Sequence, residues 1–354
     1  MKRLLLLCCC LPLWAMETYN LNNWEEHPFA GGLCQAGERM VVFDPFDGKV
    51  RAYHVGAGYE RPPLLWSGPG FGQGPGQIQS TSPNLLKSIS LDPETGHCWV
   101  SHAFGWLVFD TNGALIHENK IPYQAAVILP VPGGVIRTGA DPLTQRSIAA
   151  LYTLEDDEPR WTLDHPNPEL PMNETGAFLM PYLELFRLGN DLYSLDGNIG
   201  ELIRFTKSGE ILWIKMLPIH RIELLRLGGY GPYIRGERHS ETSAINGRSG
   251  MVQVDRHPGE LLLLTPWLAD KMPTKKHGVL DPILPEPVSF KLLTRVDPLT
   301  GEVLGRYVHP QLSTRLIALA AARGNRLLLW DQGDGESLFQ ADLSEFMEVA
   351  LPHP

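Results

Sequence analysis

Long apolar runs, helical patterns and basic charge are all scarce in this sequence. Beyond residues 4–14, no stretch is long and apolar enough to span a bilayer as a helix. Outside the first fifteen residues the only cysteines are Cys34 and Cys98, which make no disulfide framework, although an oxidising compartment permits one bond between them. Without those fifteen residues, 28 basic side chains stand against 40 acidic ones, and a net charge of −12 repels phosphate backbones. These absences argue against a transmembrane protein and against a nucleic-acid partner.

The N-terminus predicts a secretory signal peptide at residues 1–15. Two basic residues precede a short apolar run, and Ala15 offers a small residue for cleavage. Three consecutive cysteines, Cys8, Cys9 and Cys10, leave a lipid anchor as the alternative to apolar filling of the signal. We therefore expect a secreted or periplasmic protein.

Turn chemistry is what the sequence has in abundance. The 354 residues include 35 glycines and 30 prolines, a larger share than the usual value of about 12% for these two residues together. In residues 88–120 they separate four short runs rich in β-branched and aromatic residues, SISLDP, HCWVSHAF, WLVFD and ALIHENK. Asp92-Pro93 and Asn112-Gly113 provide the turns. This stretch predicts a four-stranded antiparallel meander.

The same meander recurs along the chain. Six units can be laid on residues 31–68, 88–120, 125–163, 182–216, 251–308 and 316–351, the last strand of the last unit being 346–351. Such a sheet buries both faces only when copies stack around a common axis. We therefore predict an all-β propeller of six blades with four antiparallel strands each, or seven blades if 251–267 forms an outer hairpin. The predicted organisation is a lead-in at 16–29 and a single propeller domain at 30–354.

The extra length of this domain lies in two basic insertions, 218–250 and 268–290. In the six-blade register the first connects into the fifth blade, and the second joins the second and third strands of that blade, so both emerge on one face. Planar guanidinium groups suit carboxylate, phosphate or sulfate, whereas the alternative is that these are ordinary solvated loops. The candidate ligand-binding residues are Arg221, Arg226, Arg235, Arg238, His239, Lys271, Lys275, Lys276 and His277.

Residues 72–115 resemble the NHL-type repeat of six-bladed propellers. The resemblance rests on the glycine-rich linker GQGPG, the strand SISLDP with its closing turn, the strand HCWVSH and the hairpin VFDTNG; ELIRFTKSGEILW at 201–213 echoes the second half. Ser101 and His102 stand where this family usually has an acidic residue. The resemblance implies a six-bladed fold whose members mostly bind partners, with a minority of enzymes.

Chemistry-bearing patterns are weak. His165, His220 and His309 each follow the last strand of a unit, so they begin near the rim of different blades, where a hydrogen bond to a turn is the expected role. No pair of histidines has zinc-motif spacing, and no serine sits in a nucleophile elbow. The glycines of 68–76 lack the Lys-Ser/Thr of a phosphate loop and indicate a linker between blades. The sequence predicts no catalytic residue, no metal site and no cofactor.

The expected function is that of an exported, non-catalytic propeller. It serves as a binding protein or scaffold and takes a protein, an anionic small molecule or a glycan through loops on one face. The alternative is a metal-dependent hydrolase or lyase of the six-bladed propeller type, with calcium or zinc over the central channel. The metal content of the purified protein separates the two.

Overall fold

The computed structural model describes most of the chain. The described residues are 16–28, 30, 32–56, 58–78, 86–102, 105–120, 128–137, 147–154, 158–164, 183–188, 190–196, 201–217, 250–253, 260–268, 289–312, 317–323, 325–331 and 336–349. Strands dominate these residues, and two 3-10 turns, Leu21–Asn23 and Leu343–Glu345, are the helical elements within them. Nowhere in this described part is there a helix that is long and apolar enough to cross a membrane.

The strands are named β1 to β25 in chain order. They are β1 (Glu17–Asn20), β2 (Gly32–Ala36), β3 (Arg39–Phe43), β4 (Val50–His54), β5 (Leu64–Ser67), β6 (Leu86–Leu91), β7 (Cys98–His102), β8 (Gly105–Phe109), β9 (Leu115–Lys120), β10 (Ile128–Val131), β11 (Gly134–Arg137), β12 (Ser147–Tyr152), β13 (Trp161–Asp164), β14 (Leu183–Leu188), β15 (Asp191–Asp196), β16 (Glu201–Thr206), β17 (Ile211–Met216), β18 (Gly250–Gln253), β19 (Leu261–Leu268), β20 (Ser289–Val296), β21 (Val303–Val308), β22 (Ile317–Arg323), β23 (Arg326–Asp331), β24 (Ser337–Asp342) and β25 (Met347–Glu348).

Six antiparallel sheets form the blades of a propeller. Blades 1 to 4 are β2–β5, β6–β9, β10–β13 and β14–β17; blade 5 is β18–β21 with β25 added, and blade 6 is β22–β24 with β1 added. The first strand of each blade contacts the first strand of the next, and β22 returns to β2, so the ring is closed. The predicted all-β fold of six four-stranded blades is confirmed. β18 contacts the first strands of blades 4 and 6, β14 and β22, so the β18–β19 hairpin is the inner one of blade 5, which excludes the seven-blade alternative.

Each sheet is buried on both faces because its strands alternate between two neighbouring blades. In β3, Val41 and Phe43 pack with side chains of blade 2, whereas Met40 and Val42 pack with side chains of blade 6. This is why β3 reads as a continuous apolar run rather than as an apolar-polar alternation. Complete burial of such a side chain stabilises the fold by about 1.5–3 kcal/mol.

The prediction for the closing strand was wrong. The described part of 346–351 does not form the fourth strand of blade 6: β25 pairs with β21 of blade 5. It is β1 that pairs with β24, from Glu17↔Gln340 to Asn20↔Ser337. A capping box explains the exit from blade 6: Asp342 accepts a hydrogen bond from the Ser344 amide at 2.9 Å, and Glu345 accepts one from the Asp342 amide at 3.2 Å. The chain therefore turns away after β24, and a strand from the N-terminal end completes the ring.

The predicted turns hold in the described residues. Asp110 accepts hydrogen bonds from the amides of Asn112 and Ala114 at 2.8 and 2.9 Å. Gly113 has a φ of +83°, and a Cβ there would lie 2.7 Å from the Trp66 ring of blade 1. Because the turn of blade 2 packs this closely on blade 1, only glycine fits. The glycine-rich segment 68–78 follows β5, the last strand of blade 1, and precedes β6 in the chain, as expected of a linker between blades.

Candidate functional site

The strand order gives the propeller two different faces. The turns between first and second strands and between third and fourth strands emerge on one face, which we call the turn face. The loops between second and third strands and the connections between blades emerge on the other, which we call the connection face. The strand ends that flank both basic insertions, at Met216, Gly250, Leu268 and Ser289, lie at the connection face of blades 4 and 5.

The predicted ligand-binding residues themselves lie outside the described residues. All of them fall within 218–249 or 269–288, so their role in ligand binding stays a prediction. They are Arg221, Arg226, Arg235, Arg238, His239, Lys271, Lys275, Lys276 and His277. His165 and His220 also lie outside the described part of the chain, as do residues 1–15.

An ion pair spans the turn face near the axis. Arg187, in the innermost strand of blade 4, donates to the carboxylate of Glu94, in the first turn of blade 2, at 2.9 Å. Blade 3 lies between these two blades, so the pair reaches across its inner end. The pair therefore links blades 2 and 4 on the turn face.

Ionisable side chains are buried where second strands reach the connection face. Asp44 follows β3, His102 ends β7, Arg137 ends β11 and Asp331 ends β23, and all four are buried. Buried charges require partners, and Asp44 lies 3.4 Å from the Arg51 guanidinium. Burial lowers the pKa of His102, although the carboxylate of Glu118 acts in the opposite direction, so this imidazole is neutral at pH 7.

A cluster of hydrogen-bond donors lies between blades 2 and 3. Its members, which we call the donor cluster, are Trp99, Ser101, Trp106, His117 and Arg137. Ser101 pairs with Trp106 across β7 and β8, and Trp99 lies two residues before Ser101, so all three side chains point to blade 3. His117 follows on the same side, because its strand partner Val108 is also the partner of Trp99.

Aromatic rings hold the cation of the donor cluster in place. The guanidinium carbon of Arg137 lies 4.7 Å from the centre of the Trp106 ring and 4.2 Å from that of Tyr152. The His117 ring stacks on Trp106 with 6.4 Å between centres. Cation–π contacts of this kind stabilise a desolvated guanidinium by about 2 kcal/mol. The charge of Arg137 is thereby fixed at the blade interface.

Several polar atoms of the donor cluster are buried without a hydrogen-bond partner. They are Nε1 of Trp99, Oγ of Ser101, Nε1 of Trp106 and Nε2 of His117. Indole nitrogens only donate, and burial lowers the pKa of His117, so its imidazole is neutral at pH 7. A buried polar group left in this state costs about 1–3 kcal/mol, and the indole nitrogens of Trp66, Trp213 and Trp330 are in the same state at other blades.

His309 has the structural role that its position predicts. Its Nδ1 accepts hydrogen bonds from the Gln311 and Leu312 amides, both at 3.2 Å, and its Nε2 lies 3.4 Å from a Glu345 carboxylate oxygen. These contacts tie the turn after β21 to the 3-10 turn after β24. In the part of the chain that the structure describes, no three histidine, cysteine, aspartate or glutamate side chains are grouped to hold a metal ion.

Cys34 and Cys98 are free thiols in one apolar cluster between blades 1 and 2. Burial raises the pKa of Cys34 to about 12 and also raises that of Cys98. Since the thiolate is the reactive form, we expect neither thiol to react with a disulfide reagent in the native protein at pH 7, and both to react after denaturation. Absorbance of the released thiol measures this. Rapid labelling of the native protein, or an intact mass two hydrogens lower, would contradict it.

The donor cluster was not predicted from the sequence. Its members come from three strands of blade 2 and one of blade 3, and their proximity depends on how the two sheets stack. One available signal was the Ser101-His102 pair, which departs from the acidic residue usual in NHL-type repeats. A polar pair in an otherwise apolar second strand marks a position where packing alone does not explain the residues.

Comparisons with known proteins place the fold but no family. No protein-family model matches the chain, and no curated protein matches it in sequence. Among solved structures, a "putative exported protein" from Bacteroides fragilis is 10% identical, with 92% of this chain and 94% of that chain covered and a TM-score of 0.53. A streptogramin B lyase is 14% identical, with 96% of this chain and 88% of that chain covered and a TM-score of 0.53. A DUF4221 family member from Bacteroides vulgatus is 8% identical, with 95% of this chain and 97% of that chain covered and a TM-score of 0.55. At these identities the similarity establishes the six-bladed β-propeller fold.

Proposed function

We propose that this protein is an exported, non-catalytic β-propeller that binds a partner through its connection face. The observation that carries the proposal is the position of the strand ends at Met216, Gly250, Leu268 and Ser289, from which both basic insertions leave on that same face. Loops on a rigid scaffold are where binding residues concentrate.

The partner presents carboxylate, phosphate or sulfate groups, as an anionic small molecule, a glycan or an acidic protein surface. The chain as a whole is acidic, with 40 acidic residues against 30 basic ones, whereas residues 218–250 carry five arginines against three glutamates and residues 271–277 carry three lysines and no acidic residue. Arginine forks bind such anions in a bidentate manner. The long-range repulsion from the rest of the surface limits binding to groups that reach the insertions.

Export is part of the proposal. The basic start, the short apolar run and Ala15 support a signal peptide at 1–15, and the Bacteroides fragilis structure with the same fold is described as exported. Membership of the NHL-repeat family is proposed on residues 72–115 alone. In the structure these residues run from the glycine-rich linker through the first three strands of blade 2.

Replacing Arg235, Arg238, Lys275 and Lys276 with alanine is expected to abolish retention on immobilised heparin, which serves as a sulfated probe. The matched control replaces four basic residues of turns on the opposite, turn face, Arg61, Arg160, Lys207 and Arg326, and so changes the net charge equally. We expect the control to elute at the same salt concentration as the wild type, and both variants to keep its melting temperature. Unchanged retention of the first variant, or equal loss in both, would rule out the proposed surface.

The metal-dependent hydrolase or lyase remains the alternative proposal, with calcium or zinc as its ion. Elemental analysis after dialysis tests it directly. A stoichiometric divalent ion that survives dialysis would replace the binding proposal with this one.

A further inference from the structure

We propose that a signal-processing protease removes residues 1–15 before the ring of blades closes, because the closing strand β1 begins directly after the predicted cleavage position. This inference deepens the export part of the proposed function and rests on it, since it takes Ala15 as the last residue of the signal peptide. The bond concerned is Ala15–Met16. Its hydrolysis consumes one water molecule, leaves Ala15 with a carboxylate and gives Met16 an α-ammonium group.

The residues that follow this bond are fixed in the folded propeller. Met16 packs against the apolar cluster between blades 5 and 6. Glu17 begins β1 and pairs with Gln340 of β24, and the pairing continues to Asn20. No residue of the described chain therefore separates the bond from the folded domain, since the first side chain after it already packs and the next four residues form a strand.

The far end of β1 is fastened as well. The Leu21 amide donates to the Glu336 carbonyl oxygen at 2.8 Å, and the Asn22 side-chain amide donates to the Glu336 carboxylate at 2.7 Å. Leu21 is 0% exposed. Exposure of the bond for cleavage therefore requires β1 to leave β24 while the segment behind it stays bound, which breaks the Met16 contact and the strand pairing together.

A docked β1 protects the Ala15–Met16 bond. Extended recognition of a peptide requires free backbone groups on both sides of the bond, whereas the backbone from Glu17 onwards is already paired with β24. Cleavage within folded structure proceeds through local opening, at a rate set by the population of the open form. The protease thus acts on the folded chain only in the fraction of molecules in which β1 has detached.

The order of the strands in the chain provides time for cleavage to come first. The partner of β1 is β24, which begins at Ser337 and is synthesised roughly 300 residues later. At the usual rate of about 5–20 residues per second this interval lasts about 15–60 s. During that time β1 has no partner, and the bond before it is accessible. Chains that are cut in this interval close as exported propellers, whereas chains that close first retain the apolar run of residues 4–14.

Cleavage of the full-length chain by bacterial signal peptidase in detergent micelles tests the proposal. Mass spectrometry identifies the new N-terminus and measures the rate. We expect the folded chain to be cut about tenfold or more slowly than the same chain diluted from urea directly into the assay, because only the open fraction of the folded chain is cut. The unfolded chain should be cut between Ala15 and Met16.

A spacer separates protection by β1 from other effects of folding. Six glycine and serine residues inserted between Met16 and Glu17 keep the bond but move it away from β1, and the folded variant should be cut as fast as the unfolded chain. The same spacer after Gly133 is the matched control, because this glycine lies in the β10–β11 turn and a Cβ there would meet no atom within 4 Å. The control should stay as slow as the wild type.

A point substitution in β1 tests the same idea without an insertion. Tyr19 is half-buried, and its ring lies 5.4 Å from that of Tyr59, centre to centre. Tyr19→Ser loosens β1 and should speed up cleavage of the folded chain about fivefold, as expected for a loss of about 1 kcal/mol in opening free energy. Thr18→Ser changes an exposed side chain of the same strand and should leave the rate unchanged.

The outcomes distinguish this inference from the export proposal on which it rests. A folded wild-type chain that is cut as fast as the spacer variant would overturn the inference and leave export intact. Cleavage before Cys8, Cys9 or Cys10 would also overturn it, because at least five residues would then remain between the new end and Met16. An unfolded chain that is not cut at all would overturn the export proposal and this inference with it. Melting temperatures confirm that each variant is folded in the assay.

Discussion

Replacing Trp24 with alanine is expected to lower the free energy of unfolding by about 3–5 kcal/mol. Trp24 is 1% exposed and lies in the cluster that joins blade 6 to blade 1. Its ring contacts Tyr53 with 4.8 Å between centres, and its Nε1 donates to the Tyr59 carbonyl oxygen at 2.8 Å. The substitution leaves a cavity and an unpaired carbonyl at the junction where the ring of blades closes. Chemical denaturation followed by circular dichroism measures the loss.

Leu304→Ala provides the control for this experiment. Leu304 lies in β21, the fourth strand of blade 5, and is 47% exposed, so its truncation should change the stability by no more than about 0.5 kcal/mol. Total stabilities of natural domains are about 5–15 kcal/mol, so the Trp24 variant should lose a large fraction of its stability. A loss below about 1 kcal/mol would show that the segment after β1 does not hold the ring closed.

The propeller could be predicted because its information is local. Each strand is a short apolar run, and turns such as Asp110–Gly113 are specified by residues two to four positions apart. The turn chemistry also repeats, since Asp92 and Asp297 cap their turns with side-chain hydrogen bonds to backbone amides of the residues that follow. Repetition of a local pattern predicts a repeated sheet, and six sheets with two apolar faces each leave few arrangements other than a ring.

The closing strand could not be predicted in the same way. In β1 the side chains of Glu17, Thr18 and Asn20 are exposed, so its four residues carry no apolar alternation. Its place is fixed by backbone pairing to β24 and by Leu21 and Trp24 further on, which pack against side chains distant in sequence. Residues 346–351 look more like a strand but follow a capped turn that leads to blade 5. The β-propensity of residues 346–351 correctly indicated a strand, but the strand with which it pairs is determined by tertiary contacts.

The candidate sites also differ in whether local sequence features reveal them. The basic insertions are visible in the sequence because charge and length are local properties, and their shared face follows from strand order alone. The donor cluster depends on the contact between two sheets, which brings Arg137 against Trp106 from a strand some thirty residues away. Neither residue is unusual in its own strand. Only their packing shows that a cation and several donors share one buried interface.

A buried arginine anchors the N-terminal segment on the connection face of blade 1. Arg51 is 4% exposed and donates to Glu26 at 2.8 Å, to Asp44 at 3.4 Å and, through a further short contact, to Asp47. Glu26 also accepts a hydrogen bond from Ser67 at 3.0 Å. Although burial opposes it, the hydrogen bonds from Arg51 and Ser67 lower the pKa of Glu26. Three carboxylates from two segments therefore depend on one guanidinium.

Arg51→Met is expected to lower the free energy of unfolding by about 3 kcal/mol at pH 7, because it removes the guanidinium that pairs with the buried Asp44 carboxylate. The value is at the low end for buried pairs, since Glu26 and Asp47 are partly solvated. Lys49→Ala, which removes an exposed ammonium 3.6 Å from the same Glu26 oxygen, should cost no more than about 0.5 kcal/mol. A carboxylate whose pKa is lowered by folding contributes stability above its unfolded pKa and loses it as the pH falls through the folded pKa. The difference in stability between wild type and Arg51→Met should therefore narrow below about pH 4, as the Glu26 carboxylate becomes protonated and no longer pairs with the guanidinium. Denaturation curves across this pH range measure it, and a difference that is constant or widens on acidification would show that Arg51 acts through its packing rather than its charge.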